Sequence, residues 1–111
     1  MELHAVAHAQ GIHTISVDIP PSVGTNRGPT KYRKTHENVN KKLRESSLTS
    51  DMRVHVPCPI NWYPQGHAGS ELWEEDGLHM SGPGYQELGN GLAPEVYRAL
   101  TKWGIVSNST A

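Results

Sequence analysis

Hydrophobic and polar residues along this chain follow two periods, one typical of strands and one typical of helices. β-Branched residues are concentrated from Ile12 to Ile19, which predicts a strand, and Pro20 and Pro21 are expected to end it. A second, shorter strand is predicted from Arg53 to Val56, where valine alternates with polar residues. Because a helical segment separates the two strands, they are expected to run parallel and to be joined by a right-handed crossover.

Three segments carry the helical period. The first, Met1 to Gln10, is expected to end at Gly11, and the second runs from Lys31 to Ser46 with charged residues around one apolar face. The third begins at Ser81, a favourable N-cap residue, and is predicted to run to about Lys102. Its apolar residues recur at helical spacing and predict a core-facing stripe: Tyr85, Leu88, Leu92, Val96, Ala99 and Trp103.

Two further segments have no regular period and are predicted to be loops. Ser22 to Thr30 is rich in glycine and also contains a proline, and Asn61 to Glu75 is rich in aromatic residues. Aromatic side chains in a loop can line a substrate cleft, or they can cover the edge of a sheet, and both interpretations stay open. The candidate substrate contacts on the first interpretation are Trp62, Tyr63 and Trp73.

Composition and charge limit the classes of protein to which this chain can belong. Its 111 residues correspond to one domain, and the apolar fraction of 35% with no phenylalanine indicates a small core and long loops. The net charge of -1 argues against a nucleic-acid-binding surface. No apolar run approaches the roughly 20 residues that span a bilayer. The first ten residues lack the features of a secretory signal, and the compartment stays open.

No metal or cofactor is predicted. His4 and His8 lie one helical turn apart, but the glutamate that follows the first histidine of a metalloprotease helix is missing, and we expect both to face solvent. His67, Asp76 and His79 do not have the spacing of metal ligands. The glycines of the last helix do not form a dinucleotide fingerprint, because no strand leads into them.

The pair Asp76 and His79 is the strongest candidate for chemistry. A hydrolase that works through an activated serine needs an imidazole as general base and a carboxylate that orients it. Gly77 allows the backbone between them to turn, and a loop between the last strand and the last helix lies where open α/β sheets form their sites. Taken alone, the pattern is more typical of a surface turn capped by an aspartate.

The residues around this pair resemble a known protein family. The segment D-G-L-H-M-S-G-P-G-Y-Q-E-L, from Asp76 to Leu88, closely resembles the C-terminal block of the SGNH/GDSL esterase–lipase superfamily. Ile15 to Pro21 is similar to that family's fourth strand, and Arg33 to Leu43 is similar to the helix after it. The resemblance covers the chain from about Met1 to about Leu100, which corresponds to the second half of the family's domain.

The resemblance implies a fold and an activity. The fold would be the C-terminal portion of a three-layer, flavodoxin-like parallel-sheet domain in residues 1–106, with two strands and three helices, followed by a disordered tail at 107–111. Asp76 and His79 would be the acid and base of a Ser-His-Asp triad that cleaves a small-molecule acyl or acetyl ester. The family has no cofactor in this reaction, and its serine lies in a Gly-Asp-Ser block.

That Gly-Asp-Ser block is absent from this sequence, as is the family's Gly-x-Asn-Asp block. Cys58 is a poor substitute nucleophile, because its flanking prolines leave no helix N-terminus to lower its pKa. The expected partner is therefore a complementing N-terminal half that carries the serine, or a second copy joined through an exposed sheet edge. The alternative function is a non-catalytic remnant that acts as an interaction module.

Overall fold

The computed structural model describes residues 2–107 of the chain, with the side chain of Glu2 left out. It contains a two-stranded parallel sheet and several helices, so the chain has a small α/β architecture. The elements in chain order are α1 (Glu2–Ala9), β1 (Thr14–Val17), α2 (Val23–Arg27), α3 (Thr30–Ser47), β2 (Arg53–Val56), a 3₁₀ helix (Ser70–Leu72) and α4 (Gly82–Lys102).

The two predicted strands pair in parallel, as expected, but the first is shorter than predicted. Thr14 to Val17 pairs with the whole of β2, residue for residue. Asp18 continues the ladder with one more bond, from its backbone N–H to the carbonyl of Val56 at 3.0 Å. The N–H of Ile19 instead donates to the side-chain oxygen of Asn40 at 2.7 Å, so the strand ends where α3 takes over its hydrogen bonds.

The described residues form four α-helices, whereas three were expected. The extra helix, α2, lies inside the predicted loop from Ser22 to Thr30. A capping box holds its first turn, since the N–H of Ser22 donates to Thr25 Oγ1 at 2.9 Å and the N–H of Thr25 donates to Ser22 Oγ at 3.4 Å. Threonine takes the place that glutamate or glutamine usually has in this motif. The sequence therefore lacked the usual signal for the start of a helix.

The two faces of the sheet have opposite character. Val54 and Val56 share one face, and Val54 lines a small cavity with residues of α4. On the other face, Arg53 is buried and donates to Ser46 Oγ at 2.6 Å and to the Leu43 carbonyl at 3.3 Å, both on α3. Parallel sheets are usually apolar on both faces, so this polar layer under α3 is unusual.

The hydrophobic core lies beside the sheet. Ile60, Trp73 and Met80 are buried together, and Leu88 of α4 packs against them. Tyr85, predicted to face the core, is 55% exposed, because the start of α4 approaches the chain through the buried Gly84 instead.

The C-terminal residues were predicted to be a disordered tail, and no membrane-spanning segment was predicted. Of the predicted tail, residues 108–111 lie outside the described residues, and the carbonyl of Ser107 accepts a hydrogen bond from the Tyr97 hydroxyl at 3.1 Å. Among residues 2–107, no helix is long and apolar enough to cross a membrane.

Candidate functional site

Asp76 and His79 form a hydrogen-bonded pair on a tight turn. The ring Nδ1–H of His79 donates to Asp76 Oδ2 at 2.6 Å. The other carboxylate oxygen accepts the backbone N–H groups of Leu78 at 2.8 Å and of His79 at 3.0 Å. This arrangement is an Asx turn, in which an aspartate side chain caps the backbone that follows it.

Gly77 makes the turn possible in two ways. Its φ of 67° lies in the left-handed region, where residues with a Cβ are strained. A Cβ at this position would lie 2.8 Å from Cβ of Val23, so the turn also packs closely against α2. The N–H of Val23 donates to the Gly77 carbonyl at 2.8 Å, which ties the start of α2 to the turn.

The turn lies next to the hydrophobic core. Trp73 and Met80, both buried, form an antiparallel bridge on either side of it. Between them, the N–H of Glu74 donates to the His79 carbonyl at 2.8 Å. The backbone that presents the pair is therefore held by core residues at both ends.

The electrostatics suit a histidine that acts as a base. The hydrogen bond from the His79 side chain, with the backbone N–H groups of His79 and Leu78, lowers the pKa of Asp76 to about 2. The carboxylate is therefore ionised at neutral pH and holds the proton of His79 on Nδ1. The side chain of His79 is 65% exposed, and Nε2 has no hydrogen-bond partner among residues 2–107. Nε2 is thus available to accept a proton from a neighbouring hydroxyl.

A cavity of about 310 Å³ adjoins the turn on the side of Asp76. All three predicted substrate contacts, Trp62, Tyr63 and Trp73, line it together with Asp76, whereas His79 does not. Trp73 is 4% exposed and donates from its ring N–H to the Asn61 carbonyl at 2.9 Å, so it forms a fixed wall.

Helix α2 supplies two cavity residues that the sequence did not indicate, Val23 and Arg27. The guanidinium carbon of Arg27 lies 5.9 Å from the centre of the Trp62 ring, within the range of a cation–π contact. The capping box that begins α2 has threonine instead of glutamate or glutamine, so the sequence carried no usual signal for these two residues.

Cys58 is unsuited to nucleophilic chemistry. Burial raises the pKa of its thiol, which donates to the Ile60 carbonyl at 3.6 Å. The thiolate is the reactive form of cysteine, and burial against the core disfavours it. The structure therefore agrees with the sequence argument against this residue.

A second set of serine, histidine and aspartate side chains lies on the polar face of the sheet. The Ser16 hydroxyl lies 2.8 Å from His55 Nδ1, and His55 Nε2 lies 2.6 Å from Asp18 Oδ1. Ser16 and His55 are paired in the ladder, and Asp18 follows Ser16 on the same face. Nothing in the sequence pointed to this set, because only the register of the two strands brings it together.

This second set is a structural element. Ser16 is 7% exposed and the His55 side chain 2% exposed, and neither lines any of the five described cavities. Arg53 also donates to Ser16 Oγ, at 3.4 Å. Ser16, His55 and Asp18 thus have hydrogen-bond partners within the layer, and the serine is buried rather than open to a substrate.

The histidines of α1 do not face solvent as predicted. His4 Nδ1 and His8 Nε2 lie 2.6 Å and 3.0 Å from the same hydroxyl, Thr14 Oγ1 on β1. Burial, followed by the neighbouring charges of Arg53 and His8, lowers the pKa of His4. Across the described residues, no group of three or more histidine, cysteine, aspartate or glutamate side chains is arranged to hold a metal ion.

Fold and site together define a small α/β protein with a hydrogen-bonded Asp–His pair next to an aromatic-lined cavity. No family model, curated protein or solved structure matches the chain. The resemblance to the SGNH/GDSL superfamily therefore depends on the sequence segments around Asp76, Ile15 and Arg33 alone.

Proposed function

We propose that this chain carries the acid–base pair of an SGNH-type serine ester hydrolase that acts on a small acyl or acetyl ester. The observation that carries the proposal is the 2.6 Å hydrogen bond between Asp76 and His79, with Asp76 lining an aromatic cavity and Nε2 of the histidine without a hydrogen bond among residues 2–107. The sequence block from Asp76 to Leu88 supports the same assignment.

In this mechanism, His79 Nε2 takes the proton of a serine hydroxyl as the serine oxygen attacks the ester carbonyl. Asp76 stabilises the imidazolium that forms. The tetrahedral intermediate collapses, His79 returns the proton to the leaving alcohol, and the acyl group stays on the serine. Water, activated by the same histidine, then releases the acid. The attacking serine is placed outside these 111 residues, on a complementing half of the domain.

The cavity beside Asp76 would hold the acyl or the alcohol portion of the ester. Its volume of about 310 Å³ is at the lower end of the range for small-molecule sites, which fits a small substrate. Trp62, Tyr63 and Trp73 would supply apolar contact area, and Arg27 would border the entrance from α2.

Ester hydrolysis by the protein isolated from its source tests this proposal. With p-nitrophenyl acetate as substrate, His79→Ala is expected to lower kcat/KM by about 1,000-fold or more, since the general base is lost. His67→Ala, which removes an exposed histidine of the aromatic loop, is the matched control and should keep full activity. Equal turnover by the wild type and His79→Ala would refute the assignment.

The second candidate is a non-catalytic interaction module. It is favoured by one observation, that no hydroxyl among residues 2–107 is hydrogen-bonded to Nε2 of His79. A folded protein from its source that neither hydrolyses esters nor reacts with a fluorophosphonate probe would support this candidate over the first.

A further inference from the structure

The stretch from Leu3 to Val17 carries no formal charge. The protein has ten basic and eleven acidic residues, yet none of them lies between Leu3 and Val17. The stretch comprises almost all of α1, the turn after it and all of β1. These two elements lie side by side, with His4 and His8 of α1 bonded to Thr14 of β1.

The uncharged stretch exposes large apolar side chains. Leu3 is 85% exposed and Val6 is 65% exposed on α1, and Ile12 is 56% exposed in the turn before β1. A shallow cavity of about 320 Å³ lies between the helix and the strand, with Leu3 and Ile15 among its lining residues. An exposed apolar surface of this kind is typical of an interaction site.

The same stretch includes an open strand edge. The N–H of Thr14 donates to the Met52 carbonyl and that of Asp18 to the Val56 carbonyl, so these residues point toward β2. Because alternate residues of a strand point to opposite edges, the backbone groups of Ile15 and Val17 point outward. In the described part of the chain the sheet has two strands, and β1 has neither the lysine nor the proline that commonly blocks an edge.

The surface beside β2 has a different character. The cavity next to Val54 is lined by the charged residues Glu95, Arg98 and Lys102 of α4. Burying these charged side chains in an interface would cost desolvation free energy. The surface of α1 and β1 is therefore the more suitable of the two for self-association.

The shape of the molecule leaves room for a partner. The chain measures 44 × 37 × 17 Å, and its radius of gyration of 16.2 Å exceeds the roughly 13 Å of a compact domain of this size. Its accessible surface of 7444 Å² also exceeds the roughly 6,100 Å² expected from its mass. The difference, on the order of 1,000 Å², is comparable to the about 800 Å² that each partner buries in a stable complex.

We propose that the surface of α1 and β1 is the dimer interface of this protein, and that its partner is a second copy of the chain. The two β1 strands would pair antiparallel across a twofold axis, which joins the two sheets into one of four strands. The two α1 helices would then pack together through Leu3 and Val6. A twofold interface is self-complementary, and this one brings no formal charges of equal sign together. The proposal does not depend on the esterase assignment. It concerns the second of the two partners expected from the sequence, and a complementing half that paired with the same edge of β1 would exclude the dimer.

The mass of the full 111-residue chain in solution tests the dimer. Sedimentation equilibrium is expected to give twice the 12.2 kDa of the single chain. The double variant Leu3→Lys/Val6→Lys should have the single-chain mass with unchanged far-ultraviolet circular dichroism, because both side chains are exposed in the protomer. Leu48→Lys, at a residue 84% exposed beyond the end of α3, is the matched control and should stay dimeric.

Hydrogen exchange tests the strand pairing separately. The amides of Ile15 and Val17 should be protected in the wild type and exchange rapidly in the double variant, whereas the amide of Ser16 faces β2 and should be protected in both. A mass of 12.2 kDa up to about millimolar concentration would overturn the proposal. So would a dimer with rapid exchange at Ile15 and Val17, or assembly that needs a different polypeptide.

Discussion

The hydroxyl of Ser16 lies 2.8 Å from Nδ1 of His55, across the junction of the two strands. On its other side, His55 Nε2 bonds to Asp18 at 2.6 Å, and the imidazole is 2% exposed. This side chain therefore connects two polar groups, the Ser16 hydroxyl and the Asp18 carboxylate, on the polar face of the sheet.

Replacing His55 is expected to be costly for stability. His55→Ala leaves Ser16 and Asp18 without their partner in a buried layer, and we expect it to lower the free energy of unfolding by about 2–4 kcal/mol. Urea denaturation at a fixed protein concentration measures this. His67→Ala, at an exposed histidine, should change the free energy of unfolding by less than about 0.5 kcal/mol. Equal unfolding free energies for the two variants would show that the polar layer does not stabilise the fold.

The Asp76–His79 bond can be measured directly by titration. In the wild type, the carboxyl carbon of Asp76 should titrate near pH 2, and His79→Ala should move its midpoint upward toward the ordinary value of 3.8. NMR of the protein labelled with carbon-13 records both midpoints. A midpoint that is the same with and without the imidazole would mean that the pair does not form in solution.

The lowered pKa of Asp76 also predicts how the stability of the protein depends on pH. Because the pKa of Asp76 is lower in the folded than in the unfolded protein, its contribution is complete above about pH 4 and is lost as the pH falls toward 2. Asp76→Asn should therefore flatten the acid side of the stability curve in this window. Thermal unfolding midpoints of the two proteins, compared from pH 6 to pH 2, give the difference, and parallel curves would contradict the prediction.

Two glycines of α4 should respond to alanine in opposite ways. A Cβ on Gly84 would lie 1.9 Å from the Leu72 carbonyl oxygen, whereas one on Gly89 would meet nothing within 4 Å. We expect Gly84→Ala to destabilise the protein by more than about 2 kcal/mol. Gly89→Ala should stabilise it by about 0.5–1 kcal/mol through helix propensity. Denaturant unfolding measures the change in the free energy of unfolding for both variants. If Gly84→Ala were tolerated, the start of α4 would have to lie farther from the 3₁₀ helix.

The turn of the candidate site offers a similar comparison. Gly77 and Gly66 both have positive φ, but only Gly77 would place a Cβ against another side chain, that of Val23. Gly66→Ala should cost about 1 kcal/mol of backbone strain, and Gly77→Ala should cost more because the turn must also move away from α2. Equal unfolding free energies for the two variants would indicate that α2 does not support the turn.

Cys58 should react slowly in the folded protein. Burial raises the pKa of its thiol, so the reactive thiolate is scarce at neutral pH. We expect iodoacetamide at pH 7 to label the folded chain far more slowly than the chain in urea. Rapid labelling of the folded protein, blocked in His79→Ala, would instead identify Cys58 as an activated nucleophile.

The local sequence was sufficient to predict the structure wherever the interacting groups are close in the chain. The Asp76–His79 turn is built by an aspartate that caps the next three residues, and Ser81 caps α4 by accepting the N–H of Gly84 at 3.2 Å. Strand β2 also lies where the alternation of valine with polar residues predicted it. In each case the stabilising contacts lie within a few residues, so the pattern of residue types determines them.

Contacts between distant segments were decided only by the tertiary structure. Ser16 and His55 are 39 positions apart and meet because β1 and β2 pair in one register, and a shift of one residue would separate them. Tyr85 fits the apolar period of α4 yet is exposed, because the close approach of Gly84 sets how the helix sits on the core. The sequence by itself determined both strands, the three long helical segments and the local Asp–His pair. Packing decided which faces are buried and placed α2 against the cavity, since burial depends on neighbours that no local period encodes.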